Sequence, residues 1–332
     1  LSATQLTFDF DTELPVTPVP SKTQRGRSKT VLDIHALAQE VEKHPDYRVL
    51  RRLQPTLQFP PPASGARLIT IILLDTETTG LDASKNAIIE LALLRVQVDV
   101  ATGKPVGAVQ VYDGLQDPGH PIPPEVVQLT GIRDQDVAGQ QLDEARIAEL
   151  LNGVDWVIAH NAGFDRPFFE LRLPQYRDVQ WACSVSDINW KAYGRSSAKL
   201  EMLALAHGWF YDAHRAEVDC HALLAVLAQS LPQQGTTALA TLLTQAAAPS
   251  YRLFATGAPF EAKDALKARG YRWNGEARVW FCVLSGDAAL ELECAWLKDH
   301  VYAQRRVTLQ LEKLQAQVRY SVRNGELTQI TL

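Results

Sequence analysis

Long apolar stretches are missing from this 332-residue sequence. Its most continuous apolar run, Leu68 to Leu74, is far shorter than the roughly 20 residues of a membrane-spanning helix. No basic segment leading into an apolar one opens the sequence, so nothing reads as a secretory leader and no membrane partner is expected. Cysteine is scarce. Cys183, Cys220, Cys282 and Cys294 form no Cys-x-x-Cys pair, which disfavours a zinc site or a disulfide frame. They read as buried or half-buried thiols in a reducing compartment, and the expected location is the cytoplasm. Neither charge sign dominates: the net charge of −5 argues only weakly against a nucleic-acid partner, because a few acids gathered in one site could supply most of it. What is present is ordinary for a core-forming chain. A hydrophobic content of 46% with 21% charged residues excludes a mainly disordered protein. The length suits one large domain with smaller attachments.

Residues 1–30 are turn-rich and polar, with Pro15, Pro18 and Pro20 and a basic stretch of Lys22, Arg25, Arg27 and Lys29, and read as a flexible arm. Residues 31–66 read as a helical extension and a Pro-rich spacer. Thr30 and Asp33 have capping-box spacing, and Val31, Ile34, Leu37 and Val41 recur at helical intervals. Tyr47 to Leu53 suggests a second short helix, and Pro55 with Pro60-Pro61-Pro62 a stiff extended segment. From residue 67 to 231 strands come first and helices later, an α/β pattern. Leu68 to Leu74 reads as a strand covered on both faces, and Ile88 to Val100, Ala108 to Tyr112 and Val154 to Ala159 as further strands. Residues 232–250 read as a linker carrying one short helix. Residues 251–332 read as a small α+β accessory module with hairpins at Asn274-Gly275 and Asn324-Gly325.

Three places carry chemistry. The first strand runs directly into Asp75-Thr76-Glu77-Thr78-Thr79-Gly80. Residues i and i+2 of a strand share a face, so Asp75 and Glu77 project together at its carboxyl end, where open α/β sheets place their sites. Two carboxylates so close repel unless a cation lies between them. The second is His160-Asn161-Ala162-Gly163-Phe164-Asp165, just after another strand. The third is His214-Arg215-Ala216-Glu217-Val218-Asp219 at a helix start. Five residues of a helix turn through about 140°, so His214 can face the same site as Asp219 only from the preceding loop. His221 is the rival histidine, inside the helix.

Together, in this order and spacing, these motifs resemble those of the DnaQ-like 3′–5′ exonucleases. The variant is the DEDDh group, with a histidine five places before its last aspartate, to which the proofreading epsilon subunit of bacterial DNA polymerase III belongs. The resemblance spans roughly residues 67–231 and implies an α/β fold, a ribonuclease-H-like mixed sheet flanked by helices. It implies that Asp75, Glu77, Asp165 and Asp219 hold two divalent ions, Mg²⁺ or Mn²⁺, and that His214 is the general base. It further implies that Thr78, Thr79 and Leu81 contact the terminal nucleotide, with turn formation the alternative for the threonines. Asn161 and Phe164 could orient the site or stack on a base, although core packing suits Phe164 better. His160 reads as structural. The resemblance also implies a partly buried connecting helix at Val185 to Trp190, to which no chemistry is assigned.

The expected function is a metal-dependent exonuclease that removes nucleoside 5′-monophosphates from the 3′ end of DNA, single-stranded ends favoured, in proofreading or repair. RNA trimming is the alternative, and a non-catalytic nucleic-acid or clamp-binding adaptor the more distant one. Gln5-Leu6-Thr7-Phe8-Asp9-Phe10 loosely resembles a bacterial sliding-clamp-binding peptide, with a β-prone tail as the alternative. In the accessory module Tyr271, Arg272, Trp273, Arg278, Trp280 and Phe281 interleave aromatics with arginines. At least half of these aromatics are expected in a core, and the others could stack on single-stranded bases.

Overall fold

A run that is apolar on both faces belongs inside a sheet, and Ile71, Ile72, Leu73 and Leu74 are all fully buried there. The computed structural model describes residues 33–232 and 235–332, which divide into two compact units between Val49 and Leu50. In the first unit, helix α1 (Ile34–Glu42) begins at Asp33, whose Oδ1 accepts the His35 and Ala36 amides at 3.0 and 3.2 Å. That carboxylate satisfies amides that a helix start leaves without partners. Thr30, Val31, the arm with its basic stretch and the Gln5–Phe10 peptide lie outside the described residues.

The second unit corrects the expectation of a helix at Tyr47 to Leu53. Arg51–Arg52 is a short strand, β1, paired in parallel with Trp209–Phe210. The Arg51 amide donates to the Gly208 carbonyl at 2.8 Å and the Leu53 amide to that of Phe210 at 2.9 Å. With Pro55 so near, extended pairing satisfies backbone groups that a one-turn helix would leave open.

Strands β2 (Leu68–Thr78), β3 (Ile88–Asp99) and β4 (Lys104–Leu115) form an antiparallel meander. Helices α2 (Pro124–Thr130), α3 (Asp134–Val137) and α4 (Glu144–Leu151) follow. Next come β5 (Trp156–Ala159), α5 (Ala162–Arg172), β6 (Trp181–Cys183) and α6 (Leu200–Ala206). Then β7 (Trp209–Phe210), the partner of β1, leads to α7 (Ala216–Leu227) and α8 (Ala238–Ala247). The sheet order is β4-β3-β2-β5-β6, with β5 and β6 parallel to β2. This is the expected ribonuclease-H-like mixed sheet.

Strand parity divides the core. Ile71 and Leu73 pack with Leu223, Leu227 and Leu239 on the α7 and α8 side. Ile72 and Leu74 pack with Ile147, Leu150, Phe168 and Phe169 on the α4 and α5 side. Each buried Leu or Ile contributes about 1.5–3 kcal/mol, so β2 is firmly held before its polar end begins.

Three further readings change. Residues 55–62 are no free spacer, since Phe59 donates to the Gly107 carbonyl at 2.8 Å and Gly107 to that of Pro60 at 3.0 Å, along β4. Residues 232–250 are not simply a linker, because α8 buries Leu239, Leu242 and Ala246 in the same core as α7. Val185 to Trp190 forms no helix. It bends under Asp187, whose carboxylate accepts the Cys183 amide at 2.8 Å, before a 3-10 turn at Trp190–Tyr193.

The C-terminal elements are β8 (Ser250–Ala255), α9 (Lys263–Ala268), β9 (Arg272–Asn274) and β10 (Val279–Ser285), then α10 (Asp287–His300), β11 (Thr308–Leu314) and β12 (Glu326–Thr331). They build an antiparallel sheet of order β12-β11-β8-β10-β9, with Leu253, Leu266, Leu297 and Leu309 in its core. Both expected hairpins exist, but neither Asn-Gly forms a two-residue turn. Asn274 already pairs with Val279, leaving residues 275–278 as the loop. Gly325 ends the long connection 315–325, where an added Cβ would lie 2.2 Å from the Lys313 carbonyl oxygen. That connection is clasped by Arg166, which is fully buried on α5, pairs with Glu170 at 2.7 Å and donates to the carbonyls of Ala316, Gln317 and Arg319. All four cysteines are free, Cys183 and Cys220 buried and the other two half-buried. No helix among the described residues is long and apolar enough to cross a membrane.

Candidate active site

The strand parity that sends Leu73 toward α7 carries on to Asp75 and Glu77. Opposite them, α7 presents Asp219 in its first turn. Asp75, Glu77 and Asp219 each offer a carboxylate oxygen, all within 4.8 Å of one another. His214 lies in the loop before α7 and lines the same cleft. Its backbone is left-handed, with φ 68°, which turns its amide onto Asp219 Oδ2 at 2.8 Å. Tyr211 donates its hydroxyl to the other oxygen of that carboxylate at 3.1 Å. Asp165 comes from the first turn of α5 and also lines the cleft. Its Oδ1 accepts the Thr76 amide at 3.1 Å and the Thr76 hydroxyl at 2.9 Å, and it stands beside the other three acids rather than within their 4.8 Å group.

These carboxyls resist ionisation. Burial, then the charges of Asp165, Asp219 and Glu77, hold Asp75 well above the usual carboxylate range. Glu77 is pushed up to about 8 by burial, then by Asp219 and Glu90, with Arg215 pulling the other way. Burial lifts Asp165 to about 7 even though Thr76 bonds favour its charged form. Asp219 is likewise raised by burial, restrained by the His214 and Tyr211 bonds. Hard oxygen donors crowded in a desolvated cleft are the donor set that a divalent cation matches, since the ion offsets both the burial of the charged carboxylates and their mutual repulsion. Asp75, Glu77 and Asp219 could hold such an ion, with Asp165 beside them.

The cleft has a volume of about 760 Å³. Thr78, Leu81, Asn161 and Phe164 line it. Leu81 is 87% exposed at this position, whereas Phe164 is half-buried and packs on Phe168 at a 5.2 Å centroid distance. Thr79 is a correction: it is 2% exposed, and its hydroxyl accepts the Ala87 amide at 3.0 Å, which closes the turn instead of facing the cleft. Thr78 lines the cleft with its hydroxyl donated to the Gly80 carbonyl at 2.7 Å. His160 bonds Ser184 Oγ at 2.8 Å, and burial lowers its pKa to about 4, in keeping with a structural part. His221 is buried on α7 against Glu217 and does not line the cleft.

Sequence reasoning missed a supporting ion pair. Glu90, fully buried on β3, lies opposite Glu77 and accepts Arg215 Nε at 2.9 Å and Nη2 at 2.5 Å. Its other oxygen accepts the Ala216 amide at 2.8 Å, the start of α7. The one available signal was a lone acid inside the apolar run Ile88-Ile89-Glu90-Leu91. Thr76 and Tyr211, which hold Asp165 and Asp219, gave no signal of that kind.

Residues 72–227 match the model of a family described as exonuclease (RNase T). This segment is similar to that exonuclease family. The matched segment contains all five acidic and histidine positions named by the motifs. Over 110 residues the chain is 33% identical to the DNA polymerase III subunit epsilon of Aquifex aeolicus, covering 32% of this chain and 51% of that protein. Over 106 residues it is 34% identical to the PolC-type DNA polymerase III of Listeria welshimeri, covering 31% of this chain and 7% of that protein. The chain therefore spans about half of the one relative and a small part of the other. Among solved structures, exonuclease X in complex with 5′-overhanging duplex DNA is 25% identical, with a TM-score of 0.38, covering 52% of this chain and 97% of that one. The zinc-bound complex of E. coli ExoI with single-stranded DNA is 20% identical, with a TM-score of 0.39, covering 56% and 48%.

Proposed function

We propose that the chain is a metal-dependent 3′–5′ exonuclease that hydrolyses DNA from its 3′ end, working beside a polymerase or in repair, with residues 67–231 as its catalytic domain and 251–332 as an accessory module. The observation that carries this reading is the convergence of Asp75, Glu77 and Asp219 within 4.8 Å in a cleft that His214 and Asp165 also line. DNA is preferred over RNA because the relatives' names are those of DNA polymerase III components. The four free thiols fit a reducing cytoplasm.

In this reading Asp75, Glu77, Asp165 and Asp219 hold two ions, Mg²⁺ or Mn²⁺. Bound there, the ions supply charge neutralisation at the scissile phosphate and a lowered pKa for the attacking water. His214 accepts the proton that this water loses, the general-base part that an imidazole lining the cleft beside the acids is suited to. Its left-handed backbone and its amide bond to Asp219 fix where the ring starts from. Water oxygen adds to phosphorus, the bond to the 3′ oxygen breaks, and that oxygen takes a proton from solvent, so a nucleoside 5′-monophosphate departs and a new 3′ hydroxyl remains. Leu81 and Phe164 offer apolar surface to the terminal base, and Thr78 and Asn161 offer polar contacts beside it.

The test uses matched single-stranded DNA and RNA oligonucleotides labelled at the 5′ end, with Mn²⁺ or with chelator. Stepwise shortening of the labelled DNA with release of 5′-monophosphates, abolished by chelator, is the expected result. Faster shortening of the RNA would transfer the activity to RNA trimming. No cleavage of either would overturn the enzymatic reading.

A further inference from the structure

We propose that a cleft at the β9 edge of the C-terminal sheet binds an unpaired nucleotide of a single strand, apart from the acid cluster; the inference rests on the reading that this chain acts on nucleic acid. Trp273 and Trp280 are cross-strand partners in β9 and β10, with ring centroids 5.5 Å apart. Phe260 faces the same cleft, and the Lys263 ammonium lies 4.6 Å from its ring centroid. Tyr271, 3% exposed, belongs to the module's core and Trp280 packs against that core, whereas Trp273 is 52% and Phe260 76% exposed. Two large aromatics left in solvent beside a cavity of about 540 Å³ leave apolar surface that a ligand would cover.

Charge selects the ligand. Among the described residues, Lys263 and Arg278 are the charged ones lining this cleft, and no carboxylate lines it. Arg278 is also placed at a cost. It has φ 50°, a left-handed position where glycine or asparagine would fit with less strain. Asn274 Oδ1 holds the loop by accepting the Glu276 and Ala277 amides at 3.1 and 2.9 Å. Flat aromatic faces flanked by cations match a base with its phosphate, and stacking accepts any base. An apolar peptide would gain nothing from the two cations.

The test is fluorescence anisotropy of a 5′-fluorescein-labelled dT20 titrated with the full chain in chelator, so that nothing is degraded. Trp273→Leu and Phe260→Ala should each weaken binding roughly 5- to 100-fold. Arg278→Gly suits the local backbone and should lower the slope of log affinity against log salt by about 0.7, the value for one phosphate contact on a single strand. Hydrolysis of the p-nitrophenyl ester of thymidine 5′-phosphate with Mn²⁺ involves a single nucleotide and should be unchanged in all three variants. Variants that bind dT20 as tightly as the parent would overturn the inference. So would a parent that hydrolyses the ester yet binds no oligonucleotide. A parent that binds dT20 through Trp273 but cannot hydrolyse the ester would instead overturn the nuclease reading and leave the cleft standing.

Discussion

Asp75→Asn should make the metal-free protein more stable while abolishing turnover. Two unit charges 4.8 Å apart, the spacing limit of the Asp75, Glu77 and Asp219 oxygens, repel by about 3.5 kcal/mol at an effective dielectric of about 20. The native protein avoids part of this by retaining protons: burial first, then the charges of Asp219 and Glu90, push Glu77 up to about 8. Relative to an ordinary value of 4.5 that shift would cost about 5 kcal/mol at face value, and solvent at the half-buried carboxyl cuts this by half or more. Among the described residues the Asp75 carboxylate accepts no side-chain or backbone hydrogen bond, so asparagine removes charge and little else. A gain of about 1–3 kcal/mol at pH 8 follows, or about 2–6 °C in Tm.

The sign also sets the pH dependence. Raised native pKa values mean that the folded state keeps protons which the unfolded chain releases above about pH 4. Stability of the metal-free wild type should therefore fall as pH rises from about 4 to 8, through the raised values of Asp165 and Glu77. In the variant this fall should be shallower. Mn²⁺ should restore the wild type at pH 8 and act less on the variant. Scanning calorimetry from pH 5 to 8, with chelator and with Mn²⁺, measures all of this. A variant less stable than wild type at pH 8, or with an equally steep pH dependence, would refute the reasoning.

His214→Ala should slow hydrolysis by about 10²–10⁴-fold, and His214→Gly equally, yet the glycine variant should be about 1 kcal/mol more stable than the alanine one because φ 68° suits glycine. Full activity in His214→Ala would move the base role elsewhere. Glu90→Ala strips Arg215 and the Ala216 amide of their acceptor and should cost about 2–3 kcal/mol in urea unfolding, with a lower kcat. A loss below 0.5 kcal/mol, on the order of a neutral surface change, would count against that support role. Arg166→Ala should cost roughly 3–5 kcal/mol by unclasping residues 315–323 from α5, read as faster proteolysis within that segment. Unchanged proteolysis would show that the clasp is not what holds it.

Much of this protein is legible from local pattern. Seven residues of near-continuous apolarity mark a central strand because only a doubly covered strand can bury both faces, and the polar break at Asp75 marks where that strand leaves the core. Period-2 spacing puts Asp75 and Glu77 on one side, and helix geometry requires His214 to precede α7. Other features escape local reading. Tyr47 to Leu53 has no periodicity strong enough to resist a pairing offered by Trp209–Phe210, and α8 looks like a linker until Leu239 and Leu242 meet the sheet. Thr79 and Thr78 are neighbours of one type, yet the turn closed on Ala87 takes one away from the cleft.

Chain order alone specified which residue types could do chemistry and on which face of their own element they lie, because those depend on rotations per residue. Which distant groups meet was settled by sheet register and packing. Glu90 finds Arg215 across 125 positions, and Asp165 finds Thr76 across 89, because β2, β3, α5 and α7 are stacked in one order. Burial in that stack, which no composition encodes, turns ordinary acids into groups that resist losing their protons.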